Sequence, residues 1–109
     1  FILPEETQNS EPAWFGFPLT IREDAPFSLN ELNGYLFSHN VDTRPIFTGN
    51  ITKQPYFKNK NFRIVGSLKN TDTMMTHTFW IGVYPGLTTE MMEFVIKTID
   101  DFIKFKENR

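Results

Sequence analysis

Apolar and polar positions alternate first in "WFGFPLTIRE", residues 14–23: Phe15, Phe17, Leu19 and Ile21 interleave with Trp14, Gly16, Pro18, Thr20 and Arg22. A period of two predicts a strand. Pro18 has no N–H for a ladder, so this strand is expected at a sheet edge or to carry a bulge. The period changes in "SLNELNGYLFSHN", residues 28–40, where Leu29, Leu32 and Leu36 make one helical face. Ser28 and Glu31 form an S-x-x-E capping box at its start, and Asn40 suits the left-handed stop. "VDTRPIF" (41–47) reads as a second extended segment broken by Pro45, and "NFRIVGS" (61–67) as a short third strand. "NTDTMMTHTF" opens on the cap-type residues Asn70, Thr71 and Asp72 and predicts a short helix. "FWIGVY" (79–84) is continuously apolar, as in a central strand. Beyond a "PGLT" turn, Met92, Val95, Ile96, Ile99, Phe102 and Ile103 recur at helical spacing from the N-cap Thr88 to about Lys106. Glu90 complements the positive end of that helix, and Lys104, Lys106 and Arg109 the negative end.

The order β-α-β-loop-β-α-β-α leaves little room for parallel crossovers. It predicts an α/β chain of the α+β two-layer sandwich type, a small mostly antiparallel sheet with helices on one face. With 109 residues, a single domain over 1–109 is expected. Twelve Phe and a formal charge of −2 exclude a disordered chain and argue against a dedicated nucleic-acid binder. The absence of cysteine excludes a disulfide scaffold, a thiolate nucleophile and Cys-ligated metal within this chain. No apolar run approaches the ~20 residues of a membrane span. "FILPEETQNSEP" turns polar at once, unlike a secretory signal. It also lacks an initiator Met, and the chain reads as cut from a longer one.

Catalytic motifs are sparse. His39 and His77 are the two histidines, neither spaced with a second ligand, and no G-x-S-x-G occurs. "GSLKN" (66–70) lacks the pattern of a phosphate loop, and Asp100 and Asp101 read as a solvated helix face. The aromatics are more suggestive. Trp14, Phe15, Tyr56, Phe57, Trp80 and Tyr84 fall at strand edges or in turns, and most are expected to pack the sheet. Phe15, beside Gly16, and Tyr56, after Gln54-Pro55, stand out as ligand contacts. Arg44 precedes Pro45, so its backbone is held extended and its guanidinium is aimed; a phosphate, a carboxylate or a surface ion pair would suit it. The segment "TGNITKQPYFKN" (48–59) fits neither period, yet concentrates amides, amines and two aromatic rings in one connection.

"WFGFPLTIRE", "TRPIFTGNITKQPYF", "LKNTDTMM" and "TFWIGVYPGLTTEM", in this order and spacing, resemble the C-terminal part of the DegT/DnrJ/EryC1/StrS family of pyridoxal-phosphate sugar enzymes. The likeness covers nearly the whole chain and is nearest to the CDP-4-keto-6-deoxyglucose 3-dehydrase branch of lipopolysaccharide sugar synthesis. It implies the small C-terminal domain of the aspartate-aminotransferase fold (PLP fold type I), excised from a cytoplasmic homodimeric enzyme. The parent would use pyridoxal or pyridoxamine 5′-phosphate to remove the C3 hydroxyl of a nucleotide-linked 4-keto-6-deoxyhexose. A [2Fe–2S] cluster held by upstream cysteines and a reductase partner occur in one branch. The catalytic base and cofactor ligands would also lie upstream, so none is assigned here and the fragment alone is expected to be inactive. By resemblance, Phe15, Arg44, Asn50, Gln54, Thr71 and Asp72 line the substrate and cofactor cleft, with the 48–59 loop facing the sugar nucleotide. Thr73 stands where some relatives carry a longer basic residue. Two other readings stay open: an aminotransferase of the same family, and a free-standing nucleotide or single-strand binding module using Lys53, Lys58, Lys60 and Lys69.

Overall fold

A computed structural model describes residues 1–108; Arg109, expected at the negative end of the last helix, lies outside them. Strand β1 (Gly16–Thr20) is followed by helix α1 (Leu29–Ser38) and strand β2 (Thr43–Pro45). Two 3₁₀ turns, Ile51–Lys53 and Pro55–Phe57, occupy the amide-rich connection. Helix α2 (Lys69–His77) runs directly into strand β3 (Thr78–Gly82), and helix α3 (Thr89–Glu107) closes the chain. The sheet is antiparallel with order β1-β3-β2, so the continuously apolar segment is central as expected.

Pro18 is accommodated because β1 is an edge strand. The Thr20 N–H points outward to the Ile2 carbonyl at 3.2 Å. Pro18, two residues earlier, faces the same way, so its missing N–H costs no bond to β3. On the inner face Leu19 and Phe79 are directly opposed and buried, and α1 and α3 cover them with Leu32, Leu36 and Phe102. The α1 caps hold the predicted geometry. The Ser28 hydroxyl accepts from the Glu31 N–H at 3.3 Å, and the Glu31 carboxylate accepts from the Ser28 N–H at 2.8 Å. Asn40, at φ 60°, ends the helix in a Schellman arrangement: the Val41 N–H reaches the Leu36 carbonyl and the Asn40 N–H that of Phe37. The Lys106 ammonium donates to Glu31, tying the end of α3 to the start of α1.

Three expectations need correction. Residues 61–65 of the predicted third strand carry no regular structure, and Phe62, Ile64 and Val65 are exposed. A strand needs a partner, and here β2 is three residues long and ends on Pro45, while the outer edge of β1 is taken at Thr20 by Ile2. The α2 cap falls on Leu68 rather than on Asn70, Thr71 or Asp72, which lie inside the helix. In α3 the period is right, but only Val95, Ile99 and Phe102 of the predicted stripe join the core, together with the buried Thr98; Met92 and Ile96 stay exposed.

That unfinished stripe is part of a general excess of surface. The accessible area is 8611 Å², whereas a self-contained globule of this mass exposes about 6300 Å². The radius of gyration, 16.2 Å, exceeds the ~13 Å expected for this length. Among the described residues, no helix is long and apolar enough to cross a membrane.

Candidate functional site

Six of the seven residues singled out in the sequence separate into two neighbourhoods joined by the turn at 46–49, and Tyr56 lies in neither. In the first, Asn50 is 2 % exposed. Its side-chain oxygen accepts from the Thr52 N–H at 3.0 Å and the Thr52 hydroxyl at 2.7 Å, capping the first 3₁₀ turn. Its amide donates to the Asp72 carboxylate at 2.7 Å, and Lys53 reaches the same oxygen at 2.8 Å. These partners, Lys53 foremost, hold the Asp72 carboxyl below its ordinary pKa. Gln54 donates to the Thr48 carbonyl at 2.7 Å. Gly49, at φ 58°, packs so closely that a Cβ would fall 2.6 Å from the Met75 side chain. Thr71 is half-buried on α2, one residue before Asp72. The loop is thus riveted to α2 from inside. Asn50 and Asp72 bond across that junction, and Gln54 closes the loop on itself through Thr48. Tyr56 lies outside it, largely exposed, with the Lys60 ammonium 4.8 Å from its ring centroid and Phe57 5.4 Å away.

The second neighbourhood is the helix-free face of the sheet. Directly opposed residues of neighbouring strands share a face, so Trp80 lies between Pro18 on one side and Arg44 on the other. Phe15 and Phe47 meet the Trp80 ring edge to face, with centroids 5.3 and 5.0 Å away. The space beside Gly16 is filled by Trp80, whose ring would stand 3.0 Å from a Cβ there. Phe15, Arg44, Phe47 and Trp80 line a hollow of about 640 Å³, within the usual range for small-molecule sites. The Arg44 guanidinium is 3.0 Å from the Asp42 carboxylate, both exposed. The structure therefore brings Phe15 and Arg44 together, keeps Asn50, Gln54 and Asp72 in the supporting junction, and leaves Tyr56 on the outer surface of the loop.

Two residues of the hollow were missed as site residues. Trp80 was counted with the sheet-packing rings, and Phe47 was not singled out. Phe47 has φ 45° and follows Ile46 in a tight turn closed by the Gly49 N–H on the Ile46 carbonyl at 2.9 Å. A bulky residue rarely holds that conformation. The sequence signal, an aromatic between Pro45 and Gly49, became legible only with the backbone in view.

The histidines have local partners. His39 stacks on Tyr35 at 4.2 Å and its Nδ1 lies 2.8 Å from the Tyr35 carbonyl. His77 Nδ1 lies 2.7 Å from the Thr76 hydroxyl. A larger groove of about 790 Å³ runs between the end of β3 and the first turns of α3, lined chiefly by apolar side chains such as Ile81, Met91, Phe94 and Ile96. None of the seven sequence-nominated residues lines it.

Fold and site together define a small α+β wall: a three-stranded sheet backed by two helices, with an aromatic hollow on its open face and an unfinished apolar groove at one end. The chain belongs to the DegT/DnrJ/EryC1/StrS aminotransferase family, whose model matches residues 1–100. It is 48 % identical over 100 residues to the lipopolysaccharide biosynthesis protein RfbH of Salmonella typhimurium, covering 92 % of this chain and 23 % of that protein. It is 44 % identical over 102 residues to a dTDP-4-dehydro-2,6-dideoxy-D-glucose 3-dehydratase of Saccharopolyspora spinosa, covering 94 % of this chain and 22 % of the relative. A GDP-4-keto-6-deoxy-D-mannose 3-dehydratase of Yersinia pseudotuberculosis is 30 % identical over 78 residues, covering 71 % of this chain and 20 % of its own length. The chain spans between a fifth and a quarter of the length of these relatives.

Proposed function

We propose that this chain is the C-terminal domain of a nucleotide-sugar 3-dehydratase that removes the C3 hydroxyl of a 4-keto-6-deoxyhexose in lipopolysaccharide biosynthesis, and that it forms one wall of the active-site cleft. The observation that carries the reading is the surplus of accessible surface, 8611 Å² against about 6300 Å² for a finished globule. Large hydrophobic side chains stand exposed in it, among them Met91, Phe94, Ile96 and Tyr84 along one groove, and such a patch belongs against another surface. The two named 3-dehydratases among the relatives supply the reaction class.

Pyridoxal phosphate requires a cup of donors for its phosphate, a partner for its ring nitrogen and a base. Neither hollow offers that set: the larger groove is chiefly apolar, and the smaller is lined by one cation, Arg44, among aromatic and aliphatic side chains. Cofactor chemistry accordingly belongs to the remainder of the polypeptide. A [2Fe–2S] cluster on cysteines outside this chain, a reductase partner, a homodimer and a cytoplasmic location belong to the same reading. What this chain's residues do is shape the wall: the Asn50–Asp72 junction fixes the loop, and the loop fixes Phe47 beside Phe15, Trp80 and Arg44.

The test compares the complete polypeptide with this chain alone, each given pyridoxamine phosphate and a nucleotide-linked 4-keto-6-deoxyhexose. The expected result is a C3-deoxygenated product from the complete polypeptide and neither product nor a cofactor Schiff-base absorption band from the 109-residue chain. Turnover by the isolated chain would overturn the proposal. The family description names aminotransferases, so product analysis has a second outcome: a C4 amino sugar with its C3 hydroxyl retained would assign the chain to that branch instead.

A further inference from the structure

We propose that Phe47, seated on Trp80 and facing the same hollow as Phe15, is a specificity residue: the three rings form an apolar floor for the deoxygenated C5–C6 end of a nucleotide-linked 6-deoxyhexose, with Arg44 at the rim taking its diphosphate. The inference rests on the functional reading above and deepens it by assigning the end of the sugar that these rings meet and the phosphates that Arg44 meets.

Three observations converge. Phe15 and Phe47 are 81 % and 73 % exposed, yet both contact the same Trp80 ring, so two rings that find little burial in this chain meet in one place. Phe47 keeps φ at 45°, in the first central position of its turn. At that position a positive φ normally selects glycine. Such strain persists where neighbouring structure over-determines it, and it clusters at ligand clamps. Here the determinants are visible: Gln54 holds the Thr48 carbonyl, Gly49 abuts Met75, and Asn50 is locked to Asp72 and Thr52. The junction of loop and α2 thus positions an exposed ring in a conformation that the ring disfavours.

The chemistry of the hollow selects its ligand. Apart from Asp42 and Arg44, its lining side chains are aromatic or aliphatic, with glycine at 16 and 82. A matching ligand offers an apolar patch next to an anion. A 6-deoxyhexose presents a methyl group where an ordinary hexose has a C6 hydroxyl, and that hydroxyl would meet ring carbon with no hydrogen-bond partner. Arg44 is free to change partners cheaply, because an exposed ion pair such as Arg44–Asp42 is weak. Its planar fork also fits phosphate oxygens in a bidentate manner.

The experiment uses the complete polypeptide and isothermal titration with two ligands on the same nucleotide, one carrying a 6-deoxyhexose and the other its 6-hydroxy counterpart. Wild type should prefer the deoxy ligand by about ten- to a hundredfold, the range a hydrophobic pocket achieves against one added hydroxyl. Phe47→Gly and Phe47→Asn both suit a positive φ, so the turn is retained while the ring is lost. Each should bring the preference to within about twofold, and leave the affinity for the nucleoside diphosphate alone unchanged. Arg44→Gln should do the reverse, weakening the diphosphate about tenfold while keeping the preference. A wild-type preference near unity, or a preference that survives both Phe47 substitutions, overturns the inference and leaves the functional reading intact. Failure of wild type to bind either nucleotide-linked sugar overturns both.

Discussion

Replacing Asn50 with alanine separates a structural amide from a ligand-binding one. Asn50 caps the first 3₁₀ turn through the Thr52 N–H and hydroxyl, and bridges to Asp72 on α2. Loss of a side-chain cap costs about 1 kcal/mol. The half-buried Thr52 hydroxyl also loses its acceptor, adding about 1–2 kcal/mol for an incompletely solvated group. Asp72 counts for little, since Lys53 stays within 2.8 Å and the carboxylate is partly open to water. The sum is about 2–3 kcal/mol, a fall in Tm of about 10–20 °C for a domain of this size. Urea denaturation should show the lowered midpoint with an unchanged slope, as expected when stability and not the extent of exposed surface has altered. Nucleotide-sugar affinity, measured well below the new transition, should fall only modestly, through a less well-fixed Phe47. A change in stability under about 0.5 kcal/mol, the ordinary surface range, combined with a large loss of affinity would refute this reasoning and make Asn50 a direct ligand contact.

Further outcomes follow from the packing and the charges. Phe79 is wholly buried on the central strand, and Phe79→Ala should destabilise by about 3–5 kcal/mol; by contrast Tyr56→Ala, at a largely exposed ring, should stay within about 0.5 kcal/mol in the same unfolding assay. Glu31 is held at a pKa of about 2 by the Lys106 ammonium first and then by the Ser28 N–H and hydroxyl, against an ordinary 4.5. Because the folded value is depressed, its contribution is complete above pH 4.5 and is lost as pH falls towards about 2. Unfolding midpoints followed down that range should drop less steeply for Glu31→Gln than for wild type, and equal slopes would remove Glu31 from the acid response.

The parts of this protein legible in its sequence are those decided within a few residues along the chain. The Ser28–Glu31 box, the left-handed Asn40, the Thr88 cap and the period of α3 each depend on neighbours within a turn or two. Pro18 announced an edge strand or a bulge, because a missing N–H is a local fact with few structural remedies, and the sheet took the first. The predicted third strand failed because pairing is not local: Phe62, Ile64 and Val65 have strand chemistry but pair with no strand of the sheet. The same limit governed the site. The resemblance brought forward Phe15 and Arg44, which do share a hollow, and also Asn50 and Asp72, which bond to each other across the junction of loop and α2, and Gln54, which closes the loop on its own Thr48 carbonyl. That Phe47 meets Trp80, and that Met92 and Ile96 of the α3 stripe find no cover, depends on strand register and on the line α3 takes across the sheet. Local hydrogen bonding and side-chain period are written in consecutive residues. Which surfaces meet, and which are left open, was settled only when segments far apart in the chain competed for the same few faces.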